Sequence, residues 1–190
     1  VRTVYPLRTD RLLLRRLVEE DIDVITEYRN DPKIAEFQDW ELPVTRERVD
    51  RQVARMSTWT DIVPGEPCNI GIEYDGELIG DLYVGLDEHG GVAEIGFTLR
   101  AGYQGRGFAH EAAHALITDL IERLGCHRIF GQLSPKNARS AALLAKLGMH
   151  LECLSPKSFW CRGAWDDNMV YAMSDSEWRD RKRTSPANES

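Results

Sequence analysis

The sequence predicts a mixed α+β domain built around one sheet, and three observations carry that prediction. Strand-like and helix-like segments follow an irregular order: strand, helices, an antiparallel strand run, helix, strand, helix, strands. Asp75-Gly76 separates two strand-like runs with a two-residue hairpin signal. From residue 108 to residue 124, Phe108, Ala112, Leu116, Leu120 and Leu124 fall on one helical stripe, widened by Ala113 and Ile117.

Taken in order, residues 9–17 read as a first strand. Residues 20–29 read as a helix after acidic Glu19-Glu20-Asp21, and Asn30-Asp31-Pro32 breaks it. Residues 34–40 suggest a short second helical piece. Thr45 is a candidate N-cap for a helix carrying Val49, Val53 and Met56 at helical spacing. A Pro/Gly loop over residues 61–67 leads to strands over 69–74 and 77–86. The next strand, 92–99, holds Gly96 in its middle, a sign of a bulge or a close backbone approach. Gly125 suits the C-terminal cap of the long helix. A strand over 127–133, a helix over 137–147 stopped by Gly148, and strands near 151–159 and 168–173 follow; residues 175–190 turn polar and are expected to fray. The order lacks the regular β-α-β-α alternation of a dinucleotide-binding fold. A single domain over residues 1–178 with a polar tail at 179–190 is the expected organisation.

The 190 residues suffice for a substantial core. No apolar run is long enough to span a bilayer, and no signal peptide is recognisable, so no membrane association is expected. Cys68, Cys126, Cys153 and Cys161 lie far apart without a C-x-x-C pair, which favours reduced thiols and a cytoplasmic location. The net charge of −7 argues against a nucleic-acid partner and suits a cationic one.

Two motifs overlap between residues 104 and 114. His110-Glu111-Ala112-Ala113-His114 is a literal H-E-x-x-H, in which two histidines four apart on a helix hold zinc and the glutamate acts as base. A catalytic zinc needs a third protein ligand. The extended metzincin pattern asks for glycine at position 117 and histidine at 120, where the chain has Ile117 and Leu120. A zinc metallohydrolase is therefore the lesser reading, and the expected metal is none. Gln104-Gly105-Arg106-Gly107-Phe108-Ala109 reads instead as a glycine turn opening a helix. Two residues without Cβ let the backbone approach a ligand, and the helix N-terminus offers unpaired N–H groups to a phosphate, with Arg106 adding charge.

On Gln104-x-x-Gly107-x-Ala109 the chain resembles the GCN5-related N-acetyltransferase (GNAT) superfamily, whose signature is Q/R-x-x-G-x-G/A. More narrowly, it resembles the branch acting on ribosomal-protein N-termini (RimJ/RimL-like), with its aminoglycoside- and spermidine-acetylating relatives. Thr9-Asp10-Arg11-Leu12-Leu13-Leu14-Arg15, Ala93-Glu94-Ile95-Gly96-Phe97, and Asn137-Ala138-Arg139-Ser140 with Lys146-Leu147-Gly148-Met149 add to the resemblance in the right order. It also absorbs the zinc motif, because that family often reads G-x-A-x-E-A here.

The resemblance implies a mostly antiparallel twisted sheet of about six to seven strands, flanked by about four helices, with splayed strands holding acetyl-CoA. It implies transfer of an acetyl group to a primary amine: a protein N-terminus, or a polyamine or aminoglycoside. The backbone of Phe97, Thr98 and Leu99 would pair with the pantetheine amides. The turn Gln104, Gly105, Arg106, Gly107, Phe108, Ala109 would hold the pyrophosphate, and Asn137 the pantetheine arm. Glu94, an acid in an apolar strand, is the candidate general base; a carboxylate on the sheet's wet face is the alternative. The family's usual tyrosine acid falls at Leu144, so Ser140 is the candidate for steadying the leaving thiolate. Trp40, Glu41 and Trp59, with Asp39 nearby, are the acceptor-side candidates; Trp160 and Trp165 flank the last hairpin. A coenzyme-A-binding module without catalysis is the alternative of another class, and a monomer or homodimer fits either.

Overall fold

The computed structural model describes residues 5–56 and 58–184. It opens on two short strands, β1 (Leu7–Arg8) and β2 (Leu13–Arg16), where the sequence suggests one strand over residues 9–17. The chain turns back because Thr9 and Leu12 bond each other, backbone N–H of Thr9 to the Leu12 carbonyl (3.0 Å) and Leu12 N–H to Thr9 Oγ1 (2.9 Å). Glu111 then accepts from Thr9 Oγ1 (2.6 Å) and from the Arg11 N–H (2.9 Å), so a residue 100 positions beyond Arg11 fixes the turn.

Three helices follow: α1 (Ile22–Arg29), α2 (Pro32–Ala35) and α3 (Arg46–Arg55). Asp31 caps α2 through the Lys33 N–H and Pro32 sits in its first turn. That helix stops at Ala35, short of the expected reach to residue 40. Thr45 caps α3 by accepting from the Arg48 N–H. These helices, with Leu17 and Leu78, enclose a small core of their own.

Strands β3 (Cys68–Tyr74) and β4 (Glu77–Leu86) meet at Asp75-Gly76, whose φ values of +51° and +80° are the left-handed pair of a type I′ turn. Strand β5 (Val92–Leu99) pairs with β4 in unbroken register, so Gly96 is no bulge and stands opposite Tyr83. The irregularity lies between β3 and β4, where Ile72 pairs with Gly80 and Glu73 with Leu78, leaving Ile79 over.

Helix α4 (Phe108–Glu122) carries the chain across to β6 (Arg128–Leu133), which runs parallel to β5; every other pairing among the described residues is antiparallel. The buried face of α4 includes Phe108, Ala112, Ala113, Leu116, Ile117 and Leu120, as its stripe predicts, and packs on the main core. Helix α5 (Ala138–Leu147), ended by left-handed Gly148, then leads to the long hairpin β7 (His150–Cys161) and β8 (Ala164–Ser174). The sheet order is β1-β2-β3-β4-β5-β6-β8-β7.

The expected frayed end is helical from Asp175 to Thr184, as α6. Trp178 anchors it, 2% exposed, against the His114 ring at 4.8 Å. Residues 185–190 of the expected tail lie outside the described residues. Among the described residues, eight strands and six α-helices exceed the numbers the resemblance implies; the folded-back β1 and helix α6 are the elements the sequence does not suggest, while α2 answers to its short second helical piece.

Candidate functional site

Strands β5 and β6 pair over three steps only, ending at Glu94 opposite Phe130. Beyond that point β5 continues to Leu99 along β4, and β6 continues to Leu133 along β8. Each strand is thus paired on its outer side and open on the side facing the other. Peptide groups alternate sides along a strand, so those of Phe97 and the N–H of Leu99 point to that open edge and can bond an extended, amide-bearing ligand, while Thr98 turns its backbone groups to β4. Gly80 helps set the end of β5: a Cβ there would lie 2.1 Å from the Thr98 carbonyl oxygen, so only glycine allows this approach.

The chain after β5 forms the turn into α4. Gln104 Nε2 donates back to the Leu99 carbonyl (2.9 Å), tying the turn to the strand end. Gly105 and Gly107 adopt φ of +76° and +82°, a conformation costly for residues with a Cβ. Phe108, Ala109 and His110 then begin α4 without intrahelical acceptors for their N–H groups. A cradle of N–H groups at the positive end of a 15-residue helix fits a pyrophosphate. The Phe108 ring is buried against Tyr74 (4.6 Å between centroids), and its backbone carries the N–H. The Arg106 guanidinium lies over the rings of Phe108 (4.7 Å), Tyr74 (5.3 Å) and Tyr103 (5.8 Å), so in this conformation it packs on aromatic faces.

A cavity of about 1590 Å³ opens beside the parting strands. Glu94 to Thr98 line one side; Trp40, Glu41 and Asp39 line another; the hairpin residues Cys161 to Asp166 close over it. The hairpin tip is tied to the chain after α2 through Arg162 Nη2 to the Glu36 carbonyl (2.9 Å) and Cys161 Sγ to the Gln38 carbonyl (3.6 Å). Glu94 is half-buried. Burial pushes its carboxyl above the usual range and the charge of Asp39 adds to this, while the Gln132 amide, donating at 3.1 Å, acts the other way.

The cavity floor holds a polar network that the sequence reading missed. Asp81, 3% exposed in the middle of β4, accepts from Tyr28 Oη (2.5 Å), Asn69 Nδ2 (2.6 Å) and Arg29 Nη2 (3.3 Å). Gln52 bridges Arg29 and Asn69, accepting at 2.7 Å and donating at 2.6 Å. Burial and the adjacent Asp81 carboxylate hold the Tyr28 phenol well above its ordinary range. Trp40 is bound into the same unit: its Nε1 donates to the Arg29 carbonyl (3.1 Å), and the Arg29 guanidinium lies 5.4 Å from its ring centre. The available sign was an aspartate inside the otherwise apolar run Ile79-Gly80-Asp81-Leu82-Tyr83-Val84.

Several expected site residues stand elsewhere. Trp59 is away from the cavity; its ring packs on Tyr5 at 5.1 Å against the main core. Asn137 caps α5, its Oδ1 accepting from the Ser140 N–H (3.1 Å). It and Ser140 lie at the start of that helix, outside the cavity lining. Leu144 is buried, its Cδ1 only 3.1 Å from where a Cβ on Gly131 would stand, beside the Ile95 carbonyl. Trp165 lines the cavity and meets Trp160 edge-on at 5.3 Å; both are more than half exposed. Of the H-E-x-x-H motif, Glu111 is taken up with Thr9 and Arg11, and its Oε2 pairs with Arg11 Nε at 2.7 Å. Its role is to fasten the first hairpin to α4. Among the described residues no third acidic, histidine or cysteine side chain joins His110 and His114 in a metal-binding group.

Residues 11–150 match the family model described as acetyltransferase (GNAT) domain. The uncharacterized N-acetyltransferase YnaD of Bacillus subtilis is 27% identical, over 90% of this chain and 98% of that protein. The [ribosomal protein uS5]-alanine N-acetyltransferase of Escherichia coli is 31% identical over 44% of this chain and 43% of its own length. The solved structure of RimL, a ribosomal L7/L12 α-N-protein acetyltransferase in complex with coenzyme A, superposes with a TM-score of 0.75 at 21% identity, covering 89% and 97% of the two chains. The chain belongs to the GNAT acetyltransferase family: it is an acetyl-CoA-dependent N-acetyltransferase with the mixed α+β fold of that family. No helix among the described residues is long and apolar enough to cross a membrane.

Proposed function

We propose that this enzyme acetylates the α-amino group of a polypeptide N-terminus, entering the cavity beside β5, with Glu94 as the general base. The observation that carries the reading is the position of Glu94. It is the last residue of β5 paired to β6, it faces the cavity, and the open strand edge begins just beyond it.

Acetyl-CoA supplies the activated thioester carbonyl. The backbone groups of Phe97 and Leu99 bond the amide-bearing arm, with Thr98 between them tied to β4, and the N–H groups from Gly105 to Ala109 hold the pyrophosphate. An amine reaches the cavity as an ammonium, which attracts the wall carboxylates but cannot attack a carbonyl. A half-buried carboxyl with a raised pKa is suited to taking the extra proton near neutral pH. Glu94 takes it directly or through a water. Ser140 is our candidate donor toward the leaving sulfur and Asn137 our candidate contact to the pantetheine arm. Both act from the start of α5; Leu144, further along the helix, brings no hydroxyl.

The cavity of about 1590 Å³ takes the coenzyme arm along β5 and the acceptor beyond it, and an extended peptide end is the acceptor we put first. Glu36, Asp39, Glu41 and Glu94 line it without an ion pair among the described residues, which favours a cation and keeps polyamines and aminoglycosides as the second class of acceptor. Glu41 and Trp40 are the acceptor-side residues of this reading; Trp59 is not. A turnover screen of acetyl-CoA against N-terminal peptides, spermidine and aminoglycosides tests it. Preference for peptides is expected, and turnover confined to the small amines overturns the choice of acceptor.

A further inference from the structure

We propose that Gln132 and Asn168 form a positioning relay that keeps Glu94 ionised and aimed into the cavity. The proposal rests on the reading of Glu94 as the base. Three adjacent strands place the side chains in a row. Glu94 of β5 pairs with Phe130 of β6, and Gln132 lies two residues on, on the same face; Gln132 pairs with Val170 of β8, and Asn168 lies two residues before it. Asn168 Nδ2 donates to Gln132 Oε1 at 2.8 Å, and Gln132 Nε2 donates to Glu94 Oε1 at 3.1 Å.

The direction of this chain follows from chemistry. An ionised carboxylate only accepts, so Gln132 must turn its NH2 toward Glu94. Its oxygen then faces Asn168, which must donate. Asn168 thereby selects the Gln132 rotamer that favours charged Glu94. Glu94 Oε2 has no hydrogen-bond partner among the described residues, so one oxygen is held and the other is free for the acceptor's proton.

Nothing else nearby favours the charge. Tyr83 faces Glu94 from β4, and Asp39 from the chain after α2 repels it. Of the wall's other cations, Lys136 pairs with Asp166 (3.2 Å) and Arg29 with Asp81 (3.3 Å), while Arg162 donates to the Glu36 carbonyl (2.9 Å) and Arg48 to the Glu41 carbonyl (3.5 Å); the Glu36 and Glu41 carboxylates add only negative charge. Gln132 is solvent-exposed on β6, so changing it leaves the core intact.

The test has two readouts. The first is the carboxyl titration of Glu94 by carbon-13 NMR in the apo protein, with the signal assigned by its loss in Glu94→Gln. Gln132→Leu and Asn168→Asp should both titrate at higher pH than wild type, the second because a carboxylate at 168 draws the Gln132 NH2 away. Asn168→Ala should shift less, because Gln132 stays free to face Glu94. An unmoved titration in Gln132→Leu overturns the relay. The second readout is kcat/KM against pH for whichever amine the acceptor screen identifies. Gln132→Leu should lose up to about tenfold on the acid limb of the profile and little on its alkaline side, the size of one hydrogen bond to a charged group. An equal loss at every pH overturns the relay in favour of a purely structural role. The base reading fails separately, if Glu94→Gln keeps the wild-type acid limb.

Discussion

Asp81 shows most directly how single residues hold this site. Its carboxylate is withdrawn from water and compensated by Tyr28, Asn69 and Arg29 together. Removing it leaves the Arg29 guanidinium buried without its counter-charge. Asp81→Ala should therefore cost about 3–5 kcal/mol in urea unfolding, and Asp81→Asn, which keeps an acceptor, should cost less. Glu94 has the opposite sign. Burial raises its carboxyl pKa in the fold, so the folded protein binds the proton more tightly than the unfolded chain. Stability from this group is present below the ordinary carboxylate range and is lost as pH rises through the raised value. Glu94→Gln should accordingly melt higher than wild type at pH 8, with the gap closing as the pH falls through the carboxylate range. A thermal melt series across pH checks the direction.

At the scale of elements, the join of β4, β5 and α4 sets the geometry. Gly80→Ala would drive a methyl into the Thr98 carbonyl, 2.1 Å away. The strand end must shift, so we expect a loss of about 1–3 kcal/mol and a raised KM for acetyl-CoA, with a denaturation curve and a saturation curve as the measurements. This is also where sequence and structure part in an instructive way. Asp75-Gly76, Gly105, Gly107 and Gly148 were legible because left-handed backbone leaves a local mark in glycine usage. The α4 stripe was legible because burial repeats with the helical period. The first hairpin was not, because Glu111 enforces it from across the chain. Helix α6 was missed because one residue, Trp178, anchors an otherwise polar segment. Trp40 and Trp59 read alike in sequence, and only the packing sends one to the cavity and the other to Tyr5. Gln132 and Asn168 were invisible for a further reason: an amide carries meaning only through the partners it faces.

At the scale of the molecule, two halves of one sheet diverge to leave a strand edge that borders an acid-lined cavity and runs on into a glycine turn. An enzyme of this family bound to its cofactor should be held together by it. At acetyl-CoA about 100 times its Kd, linkage adds about 2.7 kcal/mol of stability. For a chain of this size that amounts to a rise in Tm of about 5–10 °C, and Gly107→Ala should reduce the rise by weakening the phosphate cradle. The most direct measurement of the whole account is acetyl-CoA turnover on an N-terminal peptide by wild type and Glu94→Gln, with acetyl-CoA affinity measured in parallel. The account predicts that the variant binds acetyl-CoA like wild type and turns over about 10²–10⁴ times more slowly. Equal turnover by the two proteins at neutral pH would contradict it.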